Sequence, residues 1–177
     1  MKENWDKCFD LVMASEGGFS DDIRDKGNHM PDGRPGCTNL GVTMMTWEIY
    51  VQRQATVDEM RTLTREDVKP LYKKMFWDKV WGDRMPSGID YLLFDFAVNA
   101  GPSRAILCLQ EAVGAYPDGL IGPLTYAATV MHKPKELIEL YTAFKEKFYI
   151  NLHNATYEKG WLNRAELVKT TAETMVS

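Results

Sequence analysis

The sequence Trp5-Asp6-Lys7-Cys8-Phe9-Asp10-Leu11-Val12-Met13-Ala14-Ser15-Glu16-Gly17-Gly18-Phe19 places a glutamate where the first helix of the chain should end. Apolar residues recur at helical spacing before it, which predicts an amphipathic helix. Glu16 follows Phe9 by seven residues and Val12 by four, so it falls on the same apolar face. Gly17-Gly18 then supplies the left-handed residue that ends many helices. We therefore expect a helix running to about Glu16.

This position predicts an unusual environment for the Glu16 carboxyl group. It would lie against apolar surface and at the negative end of the helix dipole, and both disfavour the charged form and raise the pKa. A raised pKa is what a general acid needs near neutral pH. The alternative is a surface glutamate that turns into water, as most charged side chains do.

The residues from Glu16 onward carry an ordered set of motifs. Glu16-Gly17-Gly18-Phe19-Ser20-Asp21-Asp22, Asp25 and Gly36-Cys37-Thr38-Asn39-Leu40-Gly41-Val42-Thr43 resemble the N-terminal signature of the glycoside hydrolase family 108 muramidases. The likeness continues in Phe94-Asp95-Phe96-Ala97-Val98-Asn99-Ala100-Gly101, in Asp118-Gly119-Leu120-Ile121-Gly122-Pro123-Leu124-Thr125 and in Gly160-Trp161-Leu162-Asn163-Arg164. Each motif is weak alone, but their order is specific and covers nearly the whole chain.

The resemblance implies a fold, an activity and a partner. It implies a lysozyme-like, mainly helical protein with one short hairpin, and helical patterns joined by short loops independently favour an all-α fold. It implies that Glu16 is the catalytic acid and that the substrate is peptidoglycan, cut at the β-1,4 bond between N-acetylmuramic acid and N-acetylglucosamine. We expect a catalytic region over 1–86 and a peptidoglycan-binding-like region over 87–177, packed on one core.

Glycoside hydrolysis usually needs a second group that handles the attacking water. Asp25 follows Glu16 by nine residues, a spacing similar to the Glu–Asp–Thr arrangement of certain phage lysozymes. By that analogy Asp25 polarises the water and Thr38 orients it, while Asp22 and Asp32 are alternative second carboxylates. The carboxyl separation that distinguishes retention from inversion stays open. Without a second carboxylate near the acid, a lytic transglycosylase is the alternative enzyme.

One segment departs from the family pattern. In the family the aspartate–glycine stretch runs almost directly into the Thr-Asn pair, whereas here Asn28-His29-Met30-Pro31-Asp32-Gly33-Arg34-Pro35 is inserted. Its glycine and proline residues favour turns. The insertion would lie beside the proposed cleft and alter substrate access or contact peptide stems. The alternative is a tolerated surface loop.

Four further residues are predicted to contact substrate: Asn39, Asp95, Asn99 and Trp77. An amide donor suits an N-acetyl group, and aromatic rings stack on sugars, but each residue also has a structural alternative. Asp95 and Asn99 lie four apart on a strongly apolar helix, so they share a face and would bond to the loop bearing Asp25 and Thr38 or line the cleft. Gly41 is predicted to permit a tight turn.

Local signals predict most of the remaining helices. Thr43, Thr56 and Thr64 are candidate helix caps, and Thr56 with Glu59 is a candidate capping box. Ser87 should cap a buried helical segment from Ile89 to Ala97, which is apolar on nearly all sides. The following helices should begin at Pro102, Pro123 and Pro134, the first ending at Gly114, and a final helix is expected over Glu166 to Val176. Pro70 should kink the helix that contains it.

Composition excludes several function classes. The 177 residues are 45% hydrophobic with a net charge of −4, which disfavours nucleic acid as a partner. The three histidines lack metal-ligand spacing, so neither a metal nor a cofactor is expected. The three cysteines are expected to be free thiols, and Cys37 is expected to line the cleft.

The N-terminus lacks an apolar signal core, and no stretch of the chain predicts a transmembrane helix. We therefore expect a monomer that accumulates in a host cytoplasm and reaches the wall after holin-dependent release, as the resemblance to phage endolysins implies. A non-catalytic wall-binding or secretion-promoting module is the alternative from another class.

Overall fold

A computed structural model describes residues 4–176 of the chain, and it is mainly helical, at 62% helix. Within the described residues the helices are α1 (Trp5–Met13), α2 (Met44–Val51), α3 (Val57–Thr62), α4 (Arg65–Tyr72), α5 (Ile89–Ala100), α6 (Pro102–Val113), α7 (Pro123–Met131), α8 (Pro134–Asn151) and α9 (Glu158–Thr174). Strands β1 (Thr38–Asn39) and β2 (Val42–Thr43) form one antiparallel hairpin. The predicted lysozyme-like, mainly helical fold is confirmed. No helix in this part of the chain is long and apolar enough to cross a bilayer.

Contacts divide the described chain into two units. One unit comprises Phe9–Lys74 and contains the hairpin, and we call it the hairpin unit. The other comprises residues 4–8 and 75–176 and contains α5 to α9, and we call it the helical unit. A functional division near Pro86, as the sequence suggested, stays a prediction.

Threonine caps define the short helices of the hairpin unit. The hydroxyls of Thr43, Thr56 and Thr64 each accept a hydrogen bond from the backbone amide three residues later, as predicted. A complete capping box forms only at Thr64, where Asp67 supplies the return bond. At Thr56 the predicted box is not completed, because the Glu59 carboxylate accepts instead from Trp47 Nε1 at 3.0 Å and from Arg53.

Pro70 changes the helix that contains it. Proline has no N–H to donate, so the regular helical ladder is interrupted there. Helix α4 ends at Tyr72, and a π-helical turn spans Lys73–Trp77 immediately after it. The amide of Lys73 accordingly bonds to the carbonyls of both Lys69 and Pro70.

Helix α5 is the central helix of the helical unit. Every residue from Ile89 to Ala97 is buried, as its apolar pattern predicts. The prediction that Ser87 caps it is wrong: Gly88 is the N-cap residue, and Asp90 Oδ1 accepts from the amides of Gly88 and Tyr91, both at 2.8 Å. The Ser87 hydroxyl instead accepts from the Asn4 side chain at 2.7 Å.

The proline signals are confirmed and the last boundary is corrected. Pro102, Pro123 and Pro134 each occupy the first position of a helix, and α6 is followed by a left-handed Gly114. Helix α9 begins at Glu158 rather than at Glu166. Trp161, in its first turns, stacks on Tyr149 with ring centroids 5.4 Å apart, and this packing outweighs the weak helix propensity of Gly160.

Candidate active site

Glu16 does not lie in the first helix. Helix α1 ends at Met13, and the amide of Ser15 bonds to the carbonyl of Val12 in a tightened last turn. Arg65 Nη2 covers the end of the helix by donating to the Met13 carbonyl at 3.4 Å. Glu16 follows in a bend and is half-buried. The prediction that it projects from the helix face is therefore wrong, because the helix closes three residues before it.

The hairpin turn is pressed against Glu16. Asn39 pairs with Val42, so the turn consists of Leu40 and Gly41, and both are left-handed, with φ of 50° and 73°. A Cβ placed on Gly41 would lie 2.5 Å from Oε2 of Glu16. Gly41 is therefore required for its backbone angle, as predicted, and also for the space it leaves to the carboxylate, which the sequence did not indicate.

Tyr72 holds this turn in place. A Cβ on Gly41 would also lie 2.5 Å from the Tyr72 hydroxyl. The Tyr72 hydroxyl and Glu16 Oε2 are therefore separated by no more than twice 2.5 Å. The hydroxyl donates to the Leu40 carbonyl at 2.9 Å, and the fully buried ring packs edge-on against Phe9. This bond supports the strained left-handed conformation of Leu40. The sequence pattern did not predict this role for Tyr72.

Asp25 and Thr38 meet at one glycine. Asp25 Oδ1 accepts from the amide of Gly27 at 2.9 Å and caps a short 3-10 helix, Lys26–Asn28. A Cβ on Gly27 would lie 3.3 Å from Asp25 Oδ1 and 3.8 Å from the Thr38 hydroxyl. Asp25 is exposed, and among residues 4–176 no donor bonds to its second oxygen. The arrangement leaves Asp25 one carboxylate oxygen able to accept from a ligand or water.

The two alternative carboxylates are already paired with arginine. Arg24 lies 2.7 Å from Asp22, and Arg34 lies 2.7 Å from Asp32. These hydrogen bonds lower the pKa of both carboxyl groups, because they stabilise the charged form. A carboxylate held by a guanidinium is a weaker base toward water. The geometry therefore favours Asp25 among the three candidates.

The inserted segment 28–35 forms part of a groove of about 760 Å³ in the hairpin unit. The groove is lined by Asp21, Ile23, Asn28, His29, Met30, Gly33, Arg34, Pro35, Gly36 and Val57. Arg34 anchors the insertion with two 3.0 Å bonds to Glu48, whose carboxylate also accepts from the amide of Ala55. The insertion is thus tied to the rest of the unit, and its effect on substrate access stays a prediction.

Asn39 has the structural role that the sequence left open. It is 5% exposed, and its Nδ2 donates to the Met60 carbonyl at 2.8 Å. This bond ties β1 to α3. The predicted contact with an N-acetyl group has no support here, because the amide donor is buried and occupied.

Asp95 and Asn99 lie in the helical unit, where their partners are other than predicted. Asp95 is 1% exposed, with Lys145 Nζ 2.7 Å from one oxygen and Arg164 Nη2 2.8 Å from the other. Asn99 accepts from the Tyr149 hydroxyl at 2.8 Å. The expectation that Asp95 bonds to the loop of Asp25 or lines a cleft is wrong, because both its oxygens are used inside a buried ion cluster.

The prediction that Trp77 contacts substrate is also wrong. Its side chain has 0% exposure, and its Nε1 donates to Asp83 at 2.8 Å. Its ring packs among Trp5 and Phe94, and Gly82 leaves no room for a side chain against one of its faces. A ring without an accessible face cannot stack on a sugar.

Cys37 does not line a cleft either. It is fully buried, and burial raises the pKa of its thiol, which keeps it protonated and unreactive. Among the described residues, histidine, cysteine and carboxylate side chains form no cluster that would hold a metal ion.

A half-buried glutamate therefore lies against a constrained hairpin turn, on a lysozyme-like, mainly helical fold. A family model described as Glycosyl hydrolase 108 matches residues 9–101, and one described as Predicted Peptidoglycan domain matches residues 104–166. The chain belongs to the glycosyl hydrolase 108 family, and it is a glycoside hydrolase with peptidoglycan as its substrate. The family resemblance and enzyme class expected from the motifs are confirmed.

A solved structure supports the same assignment. The chain is similar to Brucella abortus SagA, with 31% sequence identity and a TM-score of 0.86. The match covers 99% of this chain and 97% of that one. A comparison with curated protein sequences gives no significant match.

Proposed function

We propose that this peptidoglycan hydrolase is an N-acetylmuramidase that cleaves the β-1,4 bond between N-acetylmuramic acid and N-acetylglucosamine. Glu16 acts as the general acid and protonates the glycosidic oxygen of the leaving sugar. The observation that carries this role is the contact at Gly41: the hairpin turn closes on Glu16 Oε2 so tightly that no side chain fits between them. A carboxyl group held in place is what proton transfer to a poor leaving group requires.

Asp25 and Thr38 are proposed to hold the attacking water. Cleavage passes through an oxocarbenium-like transition state, and a second group must deliver or stabilise the incoming oxygen. Asp25 supports this role because no donor within residues 4–176 bonds to its second oxygen, and the Thr38 hydroxyl lies near the same glycine, Gly27. Asp22 and Asp32 are less suited, since each is paired with an arginine.

Product analysis of digested sacculi tests the bond that is cut. Purified protein is incubated with peptidoglycan, the fragments are reduced with borohydride, and their ends are identified by mass spectrometry. We expect reduced muramic acid ends and no 1,6-anhydro ends, with no fragments from the Glu16→Gln variant. Anhydro ends would identify a lytic transglycosylase, and reduced glucosamine ends would identify a glucosaminidase; either contradicts the proposal.

We further propose that the enzyme is an endolysin, monomeric and made in a host cytoplasm, which reaches the wall only after the membrane is opened. The test is expression in Gram-negative cells with turbidity recorded before and after chloroform is added. We expect no lysis before chloroform and rapid lysis after it, with Glu16→Gln cells stable in both phases. Lysis of untreated cells would contradict this part of the proposal.

A further inference from the structure

The insertion contributes one buried polar side chain to the proposed site. Asn28, its first residue, is 4% exposed. Its Nδ2 donates to the carbonyls of Asp22 at 3.0 Å and Ser20 at 3.3 Å, and its Oδ1 accepts from the Thr38 hydroxyl at 2.8 Å. The Asn28 side chain therefore links the loop that precedes Asp25 to the first strand of the hairpin.

The network determines which way the amide faces. Two carbonyl oxygens flank one end of the Asn28 side chain, and a carbonyl can only accept. The NH₂ group must therefore point at these carbonyls, which leaves the amide oxygen facing Thr38. The backbone of Thr38 is itself fixed by two 2.8 Å bonds with Ser20, so the hydroxyl is presented to Asn28 from a rigid position.

This orientation settles the polarity of the Thr38 hydroxyl. A hydroxyl carries one proton, and here that proton is donated to Asn28 Oδ1. Only the oxygen lone pairs remain for any other partner. The second oxygen of Asp25 is likewise an acceptor. The carboxylate and the hydroxyl both lie near Gly27, because a Cβ there would be 3.3 Å from Asp25 Oδ1 and 3.8 Å from the Thr38 oxygen. A water held between Asp25 and Thr38 can only donate to both, which turns its own lone pairs away from them.

We propose that Asn28 is a positioning residue for hydrolysis: by taking the Thr38 proton it makes Thr38 a pure acceptor, so the water gives both protons to Thr38 and Asp25 and directs a lone pair at the sugar. The water then forms the bond to the anomeric carbon as the glycosidic bond breaks. Its proton passes to Asp25, and the leaving oxygen takes the proton of Glu16. This inference rests on the proposed function of Glu16, Asp25 and Thr38.

The inference also gives the insertion a role. The resemblance to the family implies that the segment that contains Asn28 is an insertion. Here Gly36 donates to the Asn28 carbonyl at 3.1 Å, so the inserted loop leaves and rejoins the chain at Asn28. The loop can therefore place this side chain beside Thr38 while the hairpin keeps its register.

A set of variants assayed on soluble uncross-linked glycan strands tests the role through kcat and KM. Asn28→Leu removes both the donor and the acceptor, and Thr38→Val removes the hydroxyl. We expect each to lower kcat about tenfold with KM within about twofold, since positioning acts in the transition state. The double variant should be no slower than the slower single, because Asn28 acts through Thr38. Independent, multiplying losses would overturn the proposal.

Asn28→Asp is the matched control. Aspartate keeps an acceptor for the Thr38 hydroxyl but loses the amide donor. Like leucine, it therefore loses the bonds to the loop carbonyls, but unlike leucine it still accepts the Thr38 proton. We expect its kcat to lie closer to wild type than that of Asn28→Leu. Equal losses would mean that Asn28 only holds the loop. If Asn28→Leu does not fold, Thr38→Ser against Thr38→Val decides: a full kcat in Thr38→Val overturns the proposal.

The two proposals fail in different ways. Failure of the muramidase assignment appears in the reducing ends released by the wild-type protein. Failure of the Asn28 assignment appears only in the variant rates, while the wild-type products stay those of a muramidase.

Discussion

Two aspartates, one in each unit, show how differently the chain uses the same side chain. Asp95 in the helical unit is 1% exposed and both its oxygens are bonded to cations, Lys145 and Arg164. Asp25 in the hairpin unit is exposed, and within residues 4–176 only one of its oxygens accepts a bond, from a backbone amide. Both oxygens of the first carboxylate are bonded and buried, whereas the second carboxylate has an exposed oxygen that can accept from a ligand.

The difference indicates which polar groups can take part in chemistry. Burial of a charge requires that every bonding position is used, so a buried, fully paired aspartate holds structure together. A group that reacts must keep a free position while something else holds it in place. In the hairpin unit, Gly41, Tyr72 and Gly27, rather than cations, hold the carboxylates in place. Variants in the two units should therefore separate activity from stability.

The largest expected effect is on activity, in the hairpin unit. Glu16→Gln removes the proposed proton donor and should lower kcat by about 10² to 10⁴, while the melting temperature changes by only about 2 °C. Turnover on glycan strands and calorimetry measure the two quantities. Glu66→Gln, on the exposed face of α4, is the control and should match wild type in both. Near-normal turnover of Glu16→Gln would contradict the proposal that activity depends on this carboxyl group of the hairpin unit.

The next effect is on stability, in the helical unit. Among the described residues, Lys145→Met leaves the buried Asp95 with Arg164 as its one remaining cation, and the free energy of unfolding should fall by about 3–5 kcal/mol. Well below the melting temperature, kcat should stay within about threefold of wild type. Denaturant unfolding and turnover at low temperature measure this. Lys147→Met, exposed on the same helix, is the control. An unchanged unfolding midpoint for Lys145→Met would contradict the role of the ion cluster.

Gly41→Ala should lower both stability and activity, and the matched variant Gly33→Ala should lower stability alone. Gly41 and Gly33 both have positive φ, but a Cβ meets Glu16 and Tyr72 only at Gly41 and meets nothing at Gly33. Each alanine variant should lose about 1 kcal/mol of stability from backbone strain. Only Gly41→Ala should also lose activity, by about 10- to 100-fold, because it displaces Glu16. Equal activities in the two variants would show that the turn does not position the acid.

The smallest effect concerns Glu59, an ion-paired carboxylate of the hairpin unit. The bond from Arg53, and then that from Trp47, lower its pKa to about 2. A lowered folded-state pKa adds stability that is present above the unfolded value, near 4.5, and is lost as pH falls toward 2. Glu59→Gln should therefore cost about 1 kcal/mol at pH 7 and almost nothing at pH 2. Chemical unfolding at both pH values tests this.

A double variant sharpens the Glu59 prediction. In the Arg53→Met background, Glu59→Gln should cost less at pH 7, because the main cause of the lowered pKa is already absent. A cost that does not depend on pH or on Arg53 would mean that the carboxylate is stabilised by packing alone.

Much of the local structure could be predicted because its causes are local. The hydroxyls of Thr43, Thr56 and Thr64 bond within three residues, and proline sets the first position of a helix through its own ring. The failures came where distant contacts compete. Ser87 does not cap α5, since its hydroxyl accepts from Asn4 instead. Helix α9 begins early because Trp161 stacks on Tyr149.

The site could be predicted only in part, for the same reason. The motif around Glu16 predicted a catalytic acid, and the spacing predicted roles for Asp25 and Thr38. All three catalytic roles stay predictions. Sequence reasoning missed the contacts of Tyr72 and Asn28, since their bonds to Leu40 and Thr38 cross 32 and 10 residues. No periodicity or cap signal marks such a bond.

The sequence by itself determined the family, the helical class of the fold and the need for a tight turn at Gly41, because motif order, apolar spacing and glycine positions can be read from neighbouring residues. Only the tertiary structure decided which polar groups are used up and which keep a free lone pair. Trp77 lies in the core and Asp95 in an ion cluster, whereas no donor in the described part of the chain bonds to the second oxygen of Asp25. The groups that pack against a polar side chain occupy its hydrogen-bonding positions. The folded chain, rather than the neighbouring sequence, decides which groups these are.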